Sequence, residues 1–268
     1  MLDITYGEAT DAGLRPRNED ATCAFVPRSR REIQTRGWLF ALADGVGGLN
    51  AGGVASSKAM QVIAEGFAVA EEHTSLSTLL PRLIQHANAT VYDDALNPQW
   101  RHQRMATTVV ACALRYDQAT IAHVGDSRCY LVRDRHAELL TQDHSWVEEQ
   151  RRQGLISEVE AEASESRHIL TRTLGVERFV AADCTTIALR PRDTLILCSD
   201  GLYAKLGGDG MARSVAGHEE DAPAIARDLV CEAIAADASD NATAVVVCVR
   251  SVEAMALYRG RPYSRPGT

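Results

Sequence analysis

The chain has 268 residues, 46% of them hydrophobic and 24% charged, with a formal net charge of -8. It is long enough to bury a full core as one large domain or two small ones, and its acidity counts against a dedicated nucleic-acid binder, which carries a basic face. Seven cysteines, with no C-x-x-C pair, sit mostly in apolar runs and read as small buried residues of a reducing compartment. The first residues lack a basic stretch followed by an apolar one, and no segment approaches the length of a membrane span. A cytoplasmic protein is expected.

In chain order, residues 3–44 read as strand, turn, strand, loop, strand, with 38–43 a near-continuous apolar run of the kind a buried strand shows. The basic stretch 28–36 reads as a solvated hairpin tip. Residues 51–97 carry two helical stripes, first Val54, Met60, Ile63, Phe67 and Val69, then Thr78, Leu79, Leu80, Leu83, Ile84 and Ala87, closed by Pro98. Residues 106–142 have strand texture broken at 116–118, 125–126 and 133–136, the spacing of an antiparallel meander. Residues 144–180 are polar, helical over 146–153 with a break at Gly154, and read as a mobile flap. Strands return at 185–189, 194–198 and 242–249. A helix over 224–236 lies between the last two, with Pro223 suited to its first turn. Strands flanked by runs of helices, without βαβ alternation, predict an α+β fold of layered antiparallel sheets. The tail, residues 251–268, has no apolar pattern and is expected to be disordered.

Five aspartates stand where strands give way to turns: Asp20 in R-N-E-D, Asp44 in A-D-G-V-G-G, Asp126 in V-G-D-S-R, Asp200 in C-S-D-G-L and Asp240 in S-D-N. If they converge, their repulsion must be offset by cations, and oxygen-only ligation favours Mg²⁺ or Mn²⁺ over Zn²⁺. Paired hard cations on carboxylates are a device for cleaving phosphate esters. Arg15 and Arg17 precede Glu19 and Asp20, a fork able to hold a phosphate dianion beside acids that orient water. Each motif taken singly is weak. The glycine turn at 43–48 is neither a dinucleotide fingerprint, because Asn50 stands in the third glycine's place, nor a P-loop, because Gly53 follows Gly52 where lysine is needed. G-x-S-x-G is absent, and Cys198 ends an apolar strand as an inert thiol. The eight histidines form no H-E-x-x-H, and His123 and His144 read as packed or capping residues.

Specificity lies in the ordered set: R-x-x-N-E-D, D-G-x-G-G, G-D-S-R, D-H-S at 143–145, L-T-R-T-L-G at 170–175, S-D-G-L and D-N-x-T. This set, spread over residues 5–250, resembles the metal-dependent serine/threonine protein phosphatases of type 2C, the PPM family, in their compact bacterial form. The resemblance implies a four-layer α-β-β-α sandwich with two central, mainly antiparallel sheets, and a catalytic domain over residues 1–250 with the flap within it. It implies that Asp44 bridges two Mn²⁺ or Mg²⁺ ions, with the Gly45 carbonyl on one, and that Asp200 and Asp240 complete the second. Asp126, with Asp200, would hold a third and weaker ion. Glu19 and Asp20 would act on metal-bound waters, and Arg15 would grip the substrate phosphate. A metal-activated water would then attack phosphorus in line, with no phosphoenzyme. Phosphorylated Ser/Thr proteins, a partner Ser/Thr kinase or its substrates, a monomer, no nucleic acid and no membrane span complete the expectation.

Two departures stand out. The stretch from Gly13 to the motif arginine is one residue shorter than the common family form; Arg15 keeps the spacing to Asn18, and Arg17 is the alternative. Val46 stands where animal members carry a histidine general acid. Two rival readings remain. A two-metal phosphodiesterase or nuclease is disfavoured by the acidic charge and the lack of a basic, aromatic-interleaved stripe. A non-catalytic phosphoprotein-binding regulatory module is disfavoured because every candidate ligand position holds aspartate.

Overall fold

The computed structural model describes residues 2–46, 51–98, 105–157, 160–161, 164, 166, 169–218, 220–237, 239–252, 255–258 and 261–264. The elements in chain order are β1 (Asp3–Asp11), β2 (Ala21–Phe25), α1 (Arg30–Thr35), β3 (Trp38–Ala43), β4 (Gly45–Val46), α2 (Ala51–Val69) and α3 (Leu76–Ala95). There follow β5 (Ala106–Thr107), β6 (Val109–Arg115), β7 (Gln118–Val124), β8 (Arg128–Arg133), β9 (His136–Leu139) and α4 (Trp146–Arg152). Then come β10 (Asp183–Ala188), β11 (Thr194–Cys198), α5 (Asp200–Ala216), α6 (Ala222–Ala236), β12 (Ala242–Ser251), β13 (Met255–Tyr258) and β14 (Arg261–Ser264).

Two five-stranded sheets, ordered β1-β12-β11-β8-β9 and β10-β7-β6-β3-β2, form the centre, and their ladders are antiparallel. Strand β3 shows why its sequence is continuously apolar. Successive side chains point to opposite faces, so Leu39, Ala41 and Ala43 pack with α2 and α3, while Phe40 and Leu42 meet Leu131, Leu195, Leu197 and Val247 of the other sheet. On the far side, Ile196, Cys198, Val246 and Cys248 pack with Leu202 and Met211 of α5 and with Ile225 and Leu229 of α6. The layers are helix, sheet, sheet, helix, as expected.

The ladder registers put one end of both sheets together. Ala21 pairs with Ala43, Leu42 with Val110 and Val109 with Val124. Asp20, Asp44 and the turn carrying Asp126 therefore leave the same end of one sheet. In the other sheet Asp11 pairs with Ala242, and Cys198 pairs with both Ala244 and Arg128. Asp200, Asp240 and Asp126 leave the corresponding end there.

Several expectations are corrected. The strands of 106–142 are not one meander: β6 and β7 belong to one sheet and β8 and β9 to the other, so the chain changes sheets at 125–127. Helix α5 was not foreseen, because Gly207, Gly208 and Gly210 break its pattern and Gly207 adopts φ 57. On α2, Val54 and Val69 are exposed, and the buried face is made by Ala51, Ala55, Ala59, Met60, Ile63 and Phe67, because small residues let the helix lie close to the sheet. The basic stretch 28–36 is helix α1 rather than a hairpin tip, with Ser29 Oγ accepting from Glu32 N. Arg36 donates to the Phe67 and Ala68 carbonyls at the end of α2, the capping use of a cation there. In the tail, β13 and β14 pair as an antiparallel hairpin where no regular structure was expected; its backbone ladder needs no apolar pattern.

Candidate active site

Close backbone approaches hold the acid-bearing turns against one another. A Cβ on Gly201 would lie 2.1 Å from the Asn241 carbonyl oxygen, so only glycine after Asp200 lets the turn of Asp240 come near. A Cβ on Gly45 would lie 2.4 Å from the Gly52 carbonyl carbon, so the first turn of α2 sits directly on the residue after Asp44. Asp44 is half-buried. Its N–H donates to Thr108 Oγ1 at 3.0 Å, and its carbonyl accepts from Thr107 Oγ1 at 2.7 Å and Thr108 N at 2.9 Å. Asp200 is the first residue of α5, half-buried and preceded by the cap residue Ser199. An N-terminal helix position favours a negative charge.

Asp20 is gripped on one oxygen: Oδ2 accepts from Ser199 Oγ at 2.8 Å and Thr243 Oγ1 at 2.5 Å, while Oδ1 is buried without a hydrogen-bond partner. Glu19 holds its neighbours through its backbone. Its N–H donates to Asn241 Oδ1 at 2.9 Å, and its carbonyl accepts from Ser56 Oγ at 2.6 Å and Gly45 N at 3.2 Å. Asp240 Oδ1 accepts from Asn241 N, and Oδ2 accepts from the exposed Arg15 guanidinium at 2.8 Å. Arg15 also donates to the Ser239 carbonyl at 3.2 Å. Arg17 enters through its carbonyl, which accepts from Asn241 Nδ2 at 3.0 Å.

The electrostatics have one common cause. Burial first, then the charges of Asp20, Asp200, Asp126 and Asp240, hold the Asp44 carboxyl well above its ordinary range. Burial pushes Asp20 up to about 6 against the opposing hydrogen bonds of Thr243 and Ser199, with Asp200 and Asp240 adding to the rise. Burial, then Asp200 and Asp143, push Asp126 up to about 7. Arg15 shifts upward too, chiefly through its hydrogen bond to Asp240 and also through Asp200 and Asp44. The acids therefore sense one another, and their charges need compensation. Oxygen donors, mutual repulsion and a buried carboxylate oxygen without a partner fit hard divalent cations.

Residues 17–227 match the family described as Protein phosphatase 2C. The chain belongs to the protein phosphatase 2C family. It is 37% identical over 202 residues to a serine/threonine phosphatase stp of Listeria monocytogenes serotype 4b, covering 72% of this chain and 75% of the relative. The S. agalactiae serine/threonine phosphatase superposes with a TM-score of 0.82 at 29% identity, over 92% of this chain and all of that one. The catalytic domain of the phosphatase PstP, solved in complex with 2 manganese ions, superposes with a TM-score of 0.77 at 28% identity, over 94% of this chain and 100% of that one. This type 2C phosphatase is an enzyme of metal-dependent serine/threonine dephosphorylation. Among the described residues, no helix is long and apolar enough to cross a membrane.

The fold brings Asp20, Asp44, Asp126, Asp200, Asp240 and Arg15 into one electrostatic group. Gly47, Gly48 and Asn50 of the glycine turn lie outside the described residues, as do residues 158–159, 162–163, 165 and 167–168 of the flap. Thr108, Ser199, Asn241 and Thr243, which hold the acids, were not foreseen as site residues. The D-N-x-T motif carried a signal for two of them: Asn241 directly precedes β12 and Thr243 lies at its start. Beside Asp126, Arg128 grips Asp143 through two bonds of 2.8 and 3.0 Å and lies over the Tyr203 ring at 3.8 Å.

Proposed function

We propose that residues 1–250 form one catalytic unit that hydrolyses phosphoserine and phosphothreonine in proteins, with the flap of 144–180 bordering the site. The reading is carried by the convergence of Asp20, Asp44, Asp126, Asp200 and Asp240, from five separate turns, into a group in which burial and the neighbouring acid charges raise the proton affinity of Asp20, Asp44 and Asp126. Asp44, the Gly45 carbonyl, Asp200 and Asp240 would hold two Mn²⁺ or Mg²⁺ ions, and Asp126 with Asp200 a third and weaker one. When bound, such ions supply Lewis acidity toward water and toward phosphoryl oxygens.

The chain's own groups do the rest. Arg15, now on Asp240, is placed at the rim to turn to a phosphate dianion, and its shifted guanidinium keeps its charge throughout. Asp20, fixed by Ser199 and Thr243, and Glu19, fixed through Asn241, orient water at the cluster. Val46 has no ionisable group, so the proton for the leaving Ser or Thr oxygen must come from water at the cluster or from another side chain. The partners that fit are phosphoproteins made by a Ser/Thr kinase, met in the cytoplasm by a monomeric enzyme.

The test is phosphate release from a phosphothreonine peptide with Mn²⁺, with EDTA, and with Asp200→Asn plus Mn²⁺. Turnover with Mn²⁺ that is lost in the other two conditions is expected. No turnover by folded, Mn²⁺-bound protein would overturn the reading in favour of a non-catalytic phosphoprotein-binding module.

A further inference from the structure

Outside the acid cluster, His123, His144 and Asp183 bring potential ligand atoms within 4.8 Å of one another. They do not build a cation site. The two rings are stacked, with centroids 4.8 Å apart and planes 16° from parallel, so their in-plane lone pairs do not converge. The Gly125 N–H donates to His144 Nδ1 at 3.1 Å, which leaves the proton of a neutral ring on Nε2. Arg172 already stands 3.1 Å from Asp183 Oδ1 and 3.3 Å from His144 Nε2.

The same contacts say what the histidine does. Both polar groups of Gly125 are taken by His144: its N–H by Nδ1, and its carbonyl by the His144 N–H at 2.9 Å. Gly125 adopts φ +103, and a Cβ there would lie 2.7 Å from Thr108, so no other residue can make this turn without strain. The following residues are the buried Asp126 and Ser127, whose Oγ meets Thr108 Oγ1 at 2.7 Å. The ring is itself held on three sides. His123 stacks on it and is fixed by a 2.7 Å contact between Nε2 and the Gln142 carbonyl. Asp183 Oδ2 faces His144 Nε2 at 3.3 Å, and Arg172 anchors Asp183.

We propose that His144 is a positioning residue that sets the Gly125–Asp126 turn, so that the base of the flap and the Asp126 carboxylate are placed together. The proposal rests on the reading of Asp126 as a ligand of the weaker cation. Asn in place of His144 offers Oδ1 where Nδ1 stands, whereas Leu keeps the bulk without an acceptor. Without metal, His144→Leu should raise hydrogen exchange at the Gly125 amide about tenfold, the loss of one buried hydrogen bond, and His144→Asn should exchange nearly as wild type. Titrated with Mn²⁺ by calorimetry, the weakest step should weaken about tenfold in His144→Leu and recover in His144→Asn.

Equal behaviour of the Leu and Asn variants, or an unchanged Gly125 amide in His144→Leu, would overturn the proposal. Should the Leu variant fail to fold, nitrogen-detected NMR of the wild-type imidazole decides: the proton on Nε2 is expected, and a proton on Nδ1 would end the idea. Asp126→Asn should abolish the weak Mn²⁺ step. If that step survives, the ligand reading of Asp126 fails, while the exchange result still decides the role of His144.

Discussion

Replacing Asp126 by Asn separates the cost of the acid cluster from its use. Asp126 is 8% exposed, and burial with the charges of Asp200 and Asp143 raises its carboxyl from 3.8 to about 7. A folded-state value above the unfolded one means that the native protein holds a proton the unfolded chain has already lost. This contribution to stability is fully present below the unfolded value and is lost as pH rises through about 7. At about 1.36 kcal/mol per unit, the loss is roughly 1.6 kcal/mol at about pH 5 and on the order of 4 kcal/mol at about pH 8. Asn resembles the protonated carboxyl and does not ionise. In EDTA the Asp126→Asn protein should therefore exceed wild type by under ~1 kcal/mol at about pH 4 and by about 4 kcal/mol at about pH 8. Urea denaturation at constant ionic strength reads this directly. Saturating Mn²⁺ should narrow or reverse the ranking, because a ligand held only by the native state stabilises it and the variant loses one of its holders. Equal stability of the two proteins across this pH range in EDTA would refute the reasoning, because Asp126 would then ionise in the fold at no cost.

Three further outcomes follow from the geometry. Arg15→Ala should lower kcat/KM on a phosphothreonine peptide about 10- to 100-fold, the worth of a charge-assisted hydrogen bond of ~1.5–3 kcal/mol, whereas Arg17→Ala should stay within ~0.5 kcal/mol; the opposite ranking would move the phosphate-binding role to Arg17. Gly201→Ala forces a Cβ against the Asn241 carbonyl oxygen, 2.1 Å away. It should cost about 1–3 kcal/mol by chemical denaturation and weaken Mn²⁺ binding by calorimetry; unaltered binding would show that the turn yields without moving Asp200 or Asp240. Asp193, 1% exposed and gripped by Arg133 at 2.6 and 2.7 Å, lies away from the acids. Asp193→Ala should cost about 3 kcal/mol, the low end for a broken buried pair because Arg133 reaches solvent, with Mn²⁺ affinity unchanged.

Much of the site was legible because its chemistry is written in short local signals. Aspartates beside glycine at strand ends need no tertiary information to be noticed, and their order along the chain pointed to the family. The groups that hold them were hidden for the opposite reason. Ser199, Thr108 and Thr243 are ordinary cap, linker and strand residues until the fold sets them against Asp20 and Asp44. His144 read as a packed histidine, and burial is part of its setting; that its Nδ1 faces the Gly125 amide depends on contacts between segments 19 residues apart.

Local pattern by itself determined strands such as β3 and β11, the helices α2, α3 and α6, and the α+β class, because a short continuous apolar run marks a strand buried on both faces and a 3.6-residue apolar period marks a helix with one buried face. It did not determine which strand joins which sheet. The stretch 106–142 has the texture of one meander, yet the chain crosses between sheets at Gly125–Ser127, since both sheets are covered on both faces and their strands look alike in sequence. Helix α5 escaped because its glycines suit the kink at Gly207, not helical propensity. Only the tertiary structure decided that the turns of Asp20, Asp44, Asp126, Asp200 and Asp240 leave one common end, because ladder register is a long-range property of paired strands and the raised proton affinities of Asp20, Asp44 and Asp126 exist only once that register is set.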